Sequence, residues 1–199
     1  MFDPPHIGHL AMAHQAWWQL RLDEVRLTPV GSAPHRTGVP WRSNSERAAL
    51  VAAAVADHTG FRLWREELDR PGPSYSADTV AALADECPGA DIWFIMGADQ
   101  LATFSRWERP EAIVSIARLA VAPRPGVSSH DAETAAHRAV GDRIDWLDLP
   151  PLALSSTEIR SRIERGQSVR YLVPDAVERV LRASGLLMAS ARDGYPGET

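Results

Sequence analysis

The sequence contains no lysine, and all 21 of its basic residues are arginine. Chemistry through a lysine amine is therefore excluded, and a phosphate site must use arginine, histidine, hydroxyl or backbone N–H groups. The single cysteine, Cys87, excludes an internal disulfide, so a reducing cytoplasm is the expected location. No apolar run approaches the roughly 20 residues that span a bilayer, so no membrane partner is expected.

The overall composition is that of a soluble globular protein. Hydrophobic residues make up 45% and charged residues 24% of the 199 residues. The net charge of −5 argues against a general affinity for nucleic acid. We expect one domain over residues 1–188 and a flexible tail over 189–199. The sequence leaves the oligomeric state open, a homo-oligomer included.

The rest of the chain is organised around its first ten residues, Met1-Phe2-Asp3-Pro4-Pro5-His6-Ile7-Gly8-His9-Leu10. The prolines suit a first helical turn, so a helix is predicted to begin near His6. His6 and His9 would then share one helical face. Unpaired N–H groups and the helix dipole favour an anion such as phosphate there, and Gly8 leaves it room. Two surface histidines are an equally weighted alternative, whereas zinc is disfavoured because only two ligands are present.

Apolar patterning along the chain predicts strands that alternate with helices. The predicted strands are 24–30, 61–64, 91–96, 119–122 and 143–149, and the predicted helices are 10–22, 47–56, 77–86, 100–104, 130–140 and segments starting at Pro110, Ser155 and Pro174. Such alternation predicts an α/β fold, a doubly wound, Rossmann-like, mostly parallel sheet with helices on both faces and a helical C-terminal part. Right-handed crossovers would gather several loops at one sheet edge, namely those with His6, His35, Asp99 and Arg124.

A second phosphate site is predicted where Ser155-Ser156-Thr157-Glu158 starts a helix. The pattern S-x-x-E is a capping box, and capping alone is the more common use of it. Arg160, however, would lie near the positive end of that helix, where a cation is disfavoured unless an anion binds. Hydroxyls, N–H groups and one arginine can together hold triphosphate oxygens.

Both motifs resemble those of the nucleotidyltransferase superfamily with the H-x-G-H signature, whose members attack the α-phosphate of a nucleoside triphosphate. The first motif matches Phe-Asp-Pro-Pro-His-Ile-Gly-His-Leu, and the segment 154–160 is similar to the superfamily motif Ile-Ser-Ser-Thr-x-Ile-Arg. The superfamily pattern also places a short strand and Gly-Gly-Thr before Phe2. We therefore expect the natural product to begin upstream of Met1.

Further segments resemble one branch, the bacterial nicotinate mononucleotide adenylyltransferases. They are Ala33-Pro34-His35-Arg36, Gly72-Pro73-Ser74-Tyr75-Ser76-Ala77-Asp78-Thr79, Ile95-Met96-Gly97-Ala98-Asp99, Phe104 to Trp107, and Arg124-Pro125-Gly126. The resemblance covers Phe2 to about Leu187. It implies transfer of the adenylyl group of ATP to nicotinate mononucleotide, which gives nicotinate adenine dinucleotide and pyrophosphate in NAD biosynthesis.

The same resemblance implies roles for individual residues. His6 and His9 would be catalytic, stabilising the charge that develops in the transition state. The implied ATP-binding residues are His6, Gly8, His9, His35, Asp99, Ser155, Ser156, Thr157 and Arg160. The implied acceptor-binding residues are Tyr75, Ser76, Trp107, Glu108 and Arg124, with Trp107 stacking on the ring and Arg124 binding the mononucleotide phosphate. Mg²⁺ would be held mainly by the ATP phosphates.

Several alternatives stay open at the level of sequence. The chain could act on another acceptor such as phosphopantetheine, or be an inactive nucleotide-binding protein. The preference between nicotinate and nicotinamide mononucleotide is not determined. Trp107 as a core residue and Arg124 as a solvated loop residue are at least as favoured as their binding roles, and for Asp99 a helix cap is favoured over a ribose contact.

Overall fold

The computed structural model describes residues 2–33, 40–126 and 141–187. Its helices are α1 (Ile7–Gln19), α2 (Asn44–Val55), α3 (Glu66–Asp69), α4 (Ser76–Glu86), α5 (Ala98–Leu101), α6 (Pro110–Ile116), α7 (Ser156–Glu164) and α8 (Asp175–Ala183), with one 3₁₀ turn at Phe104–Arg106. Its strands are β1 (Val25–Leu27), β2 (Phe61–Leu63), β3 (Ile92–Gly97), β4 (Ala117–Ala122) and β5 (Ile144–Trp146). His35, the helix expected over 130–140 and the tail 189–199 lie outside the described residues. Within the described ranges, no helix is long and apolar enough to cross a membrane.

Within residues 2–33, 40–126 and 141–187, every strand pair is parallel, as the alternating pattern predicts, and the strands form two sheets. One contains β1 and β2, and the other has the order β3-β4-β5. No strand among the described residues joins β1 to β3. Instead the half-buried side chain of Ile95 on β3 packs against apolar clusters that include Val25 of β1 and Ala120 of β4.

Capping chemistry sets the start of two helices, as predicted. At α2, the Ser43 hydroxyl accepts from the Glu46 N–H at 3.3 Å, while the Glu46 carboxylate accepts from the Ser43 N–H at 2.9 Å. At α7, the Ser155 hydroxyl accepts from the Glu158 N–H at 3.2 Å. The bonds at α2 form a reciprocal capping box, whereas α7 has only the Ser155 half of one. Both caps satisfy N–H groups that have no partner inside the helix.

The buried core lies mainly against β3 and β4. Met96, Leu119 and Val121 are completely buried there, with Ile113 of α6 packed on the same cluster. A nearly continuous apolar strand is what burial on both faces of a parallel sheet requires. A second cluster joins α2, α7 and α8, so the C-terminal helices pack against the α2 layer.

The structure corrects several boundaries, including that of the strand predicted over 143–149, which spans only Ile144–Trp146, and it adds one helix. The strand predicted over 24–30 is only three residues long and ends at Leu27, just before Pro29, which has no N–H to donate to a neighbouring strand. The first helix ends at Gln19 rather than at 22. The short helix α3 was not predicted, because its four residues carry no capping side chain and too few positions for a periodic pattern.

Candidate active site

The N-terminus of α1 is buried and internally bonded. His6 is the residue before the first helical turn, and its extended backbone (φ −138°, ψ 169°) lets its N–H reach Nδ1 of His9 at 3.2 Å. The two imidazole rings stack with centroids 3.7 Å apart. A side chain on Gly8 would meet the His6 ring at 3.1 Å, so glycine lets this ring lie against the helix. The prediction that His6 and His9 lie together on one face of the helix is confirmed.

Both imidazoles are held neutral. Burial, followed by the charge of Arg124, lowers the pKa of His6 to about 4. Burial and the adjacent His6 lower the pKa of His9 well below its usual range. Because Nδ1 of His9 accepts the His6 N–H, a neutral His9 carries its proton on Nε2. This end of α1 therefore offers N–H donors without a fixed positive charge on the rings.

The first motif is bonded directly to the N-terminus of α7, far along the chain. The Ser156 hydroxyl donates to the Pro4 carbonyl at 2.9 Å, and Nη1 of Arg160 donates to the Asp3 carbonyl at 2.8 Å. Nη2 of Arg160 also donates to the Thr157 hydroxyl at 3.1 Å. The two predicted phosphate motifs thus lie side by side in the folded chain.

Arg124 brings a cation to the same place from the end of β4. Its Nη1 donates to the carbonyls of Leu152 at 3.1 Å and Leu154 at 3.4 Å, and its Nε lies 3.4 Å from Oδ1 of Asp99. A side chain at Gly97 would collide with this pair, so glycine is needed where β3 ends. Arg124 is half-buried in the loop after β4 and is bonded to these partners.

The helix-capping role favoured for Asp99 is wrong. Helix α5 begins at Ala98, directly after the last strand residue, and Gly97 occupies the capping position. Asp99 therefore lies inside the first turn, where its exposed carboxylate complements the helix dipole and pairs with Arg124.

Trp107 lies between the core and the surface. Its ring is tilted against Phe104 at 5.5 Å and meets Phe94 edge to face at 5.9 Å, so one side is fixed by packing. The ring remains half-buried rather than buried, and Glu108 beside it is exposed. The core role and a stacking role are therefore compatible, because one part of the ring packs and another is accessible.

The segment from Ser74 to Ser76, which includes two of the implied acceptor-binding residues, leads into α4. Tyr75 precedes the helix and Ser76 is its first residue, and both are half-buried. The Ser74 hydroxyl accepts from the N–H groups of Gly31 and Ser32, each at 3.1 Å, and the Ser74 N–H donates to the Ser32 carbonyl at 2.8 Å. This segment is thereby tied to the loop that follows β1.

Two buried charged residues near the site were not assigned by sequence reasoning. Asp3 is 1% exposed, and its Oδ2 accepts from the Trp41 N–H at 3.0 Å. Arg47 is completely buried and donates to the carbonyls of Val30 and Gly31 and to the Asn44 side chain. Burial lowers the pKa of Arg47, and the nearby charge of Asp3 opposes that effect. The signal for Asp3 was its place inside the first motif, whereas Arg47 sits in an Ala-rich helix and gives none.

The first set of contacts joins both helix N-termini with Arg124 and Asp99 into one group. Tyr75 and Ser76 lie at the start of α4, and Trp107 packs on the apolar cluster that contains Ala77 of the same helix. The group at the helix N-termini supplies N–H, hydroxyl and guanidinium donors, which is the chemistry that stabilises phosphate oxygens. The described residues hold no group of three or more His, Cys, Asp or Glu side chains that could bind a metal ion.

Comparison with known proteins identifies the class of protein to which this chain belongs. Residues 1–162, most of the chain, match the family described as cytidylyltransferase-like, so the chain belongs to a nucleotidyltransferase class. A protein from Plasmodium falciparum, solved as nicotinic acid mononucleotide adenylyltransferase complexed with NaAD, shares the Rossmann-like fold. Its TM-score is 0.73 at 12% identity, covering 94% of this chain and 93% of the other.

Curated relatives narrow the class. A probable nicotinate-nucleotide adenylyltransferase of Synechococcus sp. (strain JA-3-3Ab) is 39% identical over 190 residues, covering 94% of this chain and 91% of the relative. A protein of the same name from Aeromonas salmonicida (strain A449) is 39% identical over 202 residues, covering 94% of each chain. The chain belongs to the nicotinate-nucleotide adenylyltransferase family.

Proposed function

We propose that this protein transfers the adenylyl group of ATP to nicotinate mononucleotide, which yields nicotinate adenine dinucleotide and pyrophosphate in NAD biosynthesis. The observation that carries the proposal is the direct bonding of the two phosphate motifs, Arg160 to Asp3 and Ser156 to Pro4, within a chain of this family. In the reaction an oxygen of the acceptor phosphate attacks the α-phosphorus of ATP. The bond from that phosphorus to the bridging oxygen breaks, and pyrophosphate leaves. No protein nucleophile is needed.

His6 and His9 act on the transition state. Their depressed pKa values make both rings neutral in the free enzyme, so each offers an N–H to a phosphate oxygen. For His9 the donor is Nε2, since Nδ1 is engaged by the His6 backbone. Charge grows on the bridging oxygen as the α-phosphate bond breaks, and fixed donors stabilise that charge without reorganising.

The N-terminus of α7 holds the triphosphate. Ser155, Ser156 and Thr157 place three hydroxyls in its first turn, and Arg160 adds a guanidinium already fixed on the Asp3 carbonyl. Gly8, His35 and Asp99 complete the proposed ATP contacts. Mg²⁺ enters as part of the substrate MgATP, held mainly by the phosphates, and its role is to neutralise their charge.

Arg124 binds the phosphate of the acceptor. This guanidinium is near enough to the rings to lower the pKa of both His6 and His9, so a phosphate bound to it lies beside the reacting α-phosphate. Trp107 stacks on the pyridine ring with its accessible part. Tyr75 lines the pocket, and the backbone N–H groups near Ser76 and Glu108 donate to the ring carboxylate.

Pyrophosphate release tests this function directly. The protein would be incubated with MgATP and one of three acceptors, nicotinate mononucleotide, nicotinamide mononucleotide or phosphopantetheine. We expect turnover with nicotinate mononucleotide, and the product mass of nicotinate adenine dinucleotide. Turnover with phosphopantetheine alone would replace the proposed acceptor, and ATP binding without release for any acceptor would indicate a nucleotide-binding protein.

A further inference from the structure

An ion pair joins the two segments that are proposed to bind the acceptor ring. Nη2 of Arg109, the residue after Glu108, lies 2.5 Å from Oδ1 of Asp78. Asp78 lies in the first turn of α4, which Ser76 begins. The pair therefore connects the turn containing Trp107 directly to the helix end whose N–H groups face the ring carboxylate.

The backbone of Arg109 adopts an uncommon conformation beside this contact. Its φ of 51° and ψ of 54° lie in the left-handed region, which residues other than glycine adopt only when their surroundings hold them there. Pro110 follows immediately and begins α6. In this conformation the side chain of Arg109 reaches α4 and bonds to Asp78.

We propose that Asp78 and Arg109 are positioning residues for the acceptor nucleotide, an assignment that rests on the proposed function. Their ion pair sets the separation between the turn of Trp107 and Glu108 and the N-terminus of α4. With that separation fixed, the N–H groups near Ser76 and Glu108 converge on one carboxylate. Without the pair the turn moves independently, and acceptor binding has to supply the ordering that is lost.

The fold does not depend on this pair. Helices α4 and α6 pack through buried apolar residues, Ala77 and Val80 on one side and Ile113 on the other. The side chains of Arg109 and Asp78 are 47% and 37% exposed, and pairs with such exposure contribute little to stability. Variants of either residue should therefore fold, which makes their kinetics interpretable.

The test is a double-mutant cycle with Arg109→Met, Asp78→Asn and the double variant. Each single variant should raise KM for nicotinate mononucleotide about 3- to 5-fold and leave KM for ATP and kcat unchanged. The double variant should resemble the singles, because one contact is lost in all three. Arg109→Lys should recover part of the effect, since it keeps the charge but not the forked geometry.

Arg65→Met is the matched control. Arg65 forms a similar exposed pair with Asp69 at 2.7 Å, but both residues belong to one helix and its cap, so no separate segments are joined. Its kinetics should equal those of the wild type. Amide hydrogen exchange adds a readout independent of turnover: residues 75–80 and 104–111 should exchange faster in Arg109→Met and not in Arg65→Met.

Unchanged acceptor KM in Arg109→Met, or an equal loss of ATP and acceptor affinity, would overturn the positioning role. So would singles whose effects simply add in the double variant. The failure of the proposed function is distinguishable from these outcomes, because the folded wild-type protein would then be inactive with nicotinate mononucleotide. That result would overturn the proposed function, and the assignment of this pair with it.

Discussion

The N-termini of α1 and α7 begin alike and differ in burial and charge. Each follows an extended residue with a polar side chain, His6 for α1 and Ser155 for α7. His6 is 1% exposed and its ring is neutral, whereas Ser155 and Thr157 are exposed and Arg160 brings a positive charge. A fixed, neutral end suits a transition state, and an open, cationic end suits the binding of triphosphate. The predictions below test this division.

The largest effect should follow from His9→Ala. Loss of a donor aimed at the breaking bond should reduce kcat by on the order of 10² or more with little change in KM for ATP. His14→Ala, on the same helix, is the control, because His14 pairs with His58 instead. Steady-state kinetics of pyrophosphate release measure both variants. Equal turnover in His9→Ala and the control would remove His9 from the mechanism.

Arg160→Ala should weaken ATP binding, the role assigned to the N-terminus of α7. We expect KM for ATP to rise about 10-fold with a smaller change in kcat, because a charge-assisted contact made in both the ground and the transition state is lost. The lost bond to the Asp3 carbonyl should also lower the melting temperature by a few degrees.

Arg162→Ala serves as the control for Arg160, since Arg162 lies on the same helix but contacts Glu158 at 3.7 Å and the Ser168 carbonyl at 3.2 Å rather than the Asp3 carbonyl. The division between the helix ends would be contradicted if Arg160→Ala lowered kcat as much as His9→Ala while KM for ATP stayed constant.

Trp107→Ala should leave the roles of both helix ends unchanged. It should weaken only the binding of the acceptor. We expect KM for nicotinate mononucleotide to rise roughly 5- to 10-fold, as for loss of an aromatic stacking surface. Trp107→Phe should retain most of the binding, and Trp18→Ala, which removes a ring that is 70% exposed, should change nothing. An unaltered acceptor KM in Trp107→Ala would leave Trp107 with its packing role alone.

The last prediction concerns the dependence of folding stability on pH rather than turnover. Because the pKa of His6 falls from 6.5 to about 4 on folding, the folded state favours the neutral ring. Its contribution is therefore complete above about pH 6.5 and is lost as the pH falls toward 4, with an upper limit of about 3 kcal/mol. Urea unfolding between pH 7 and 4 should show a shallower decline in His6→Gln than in the wild type. Identical slopes would show that His6 is not buried as a neutral ring.

The sequence was most informative where local chemistry and periodicity agree. The run from Ile92 to Met96 predicted a buried parallel strand, and Ser43 with Glu46 predicted a helix start, because both signals are contained within a few residues. The pairing of His6 with His9 likewise follows from helical spacing. Their particular chemistry came from resemblance rather than from spacing, since two histidines alone are equally compatible with a surface helix.

What sequence reasoning could not supply are contacts between distant segments. The bond from Arg160 to the Asp3 carbonyl spans most of the chain, and buried Arg47 of α2 donates to the carbonyls of Val30 and Gly31 in the loop after β1. Nothing local distinguishes Arg47 from the exposed arginines elsewhere. The cap predicted at Asp99 failed for a related reason, because the strand and the helix meet without an intervening residue.

The central claim is that these helix ends catalyse attack on the α-phosphate of ATP. The most direct measurement follows the label from ATP carrying radioactive phosphorus at either the α or the γ position, with nicotinate mononucleotide as acceptor. The account predicts that the α label enters the dinucleotide and the γ label leaves in pyrophosphate. Transfer of the γ label to the acceptor, or its release as inorganic phosphate, would contradict it.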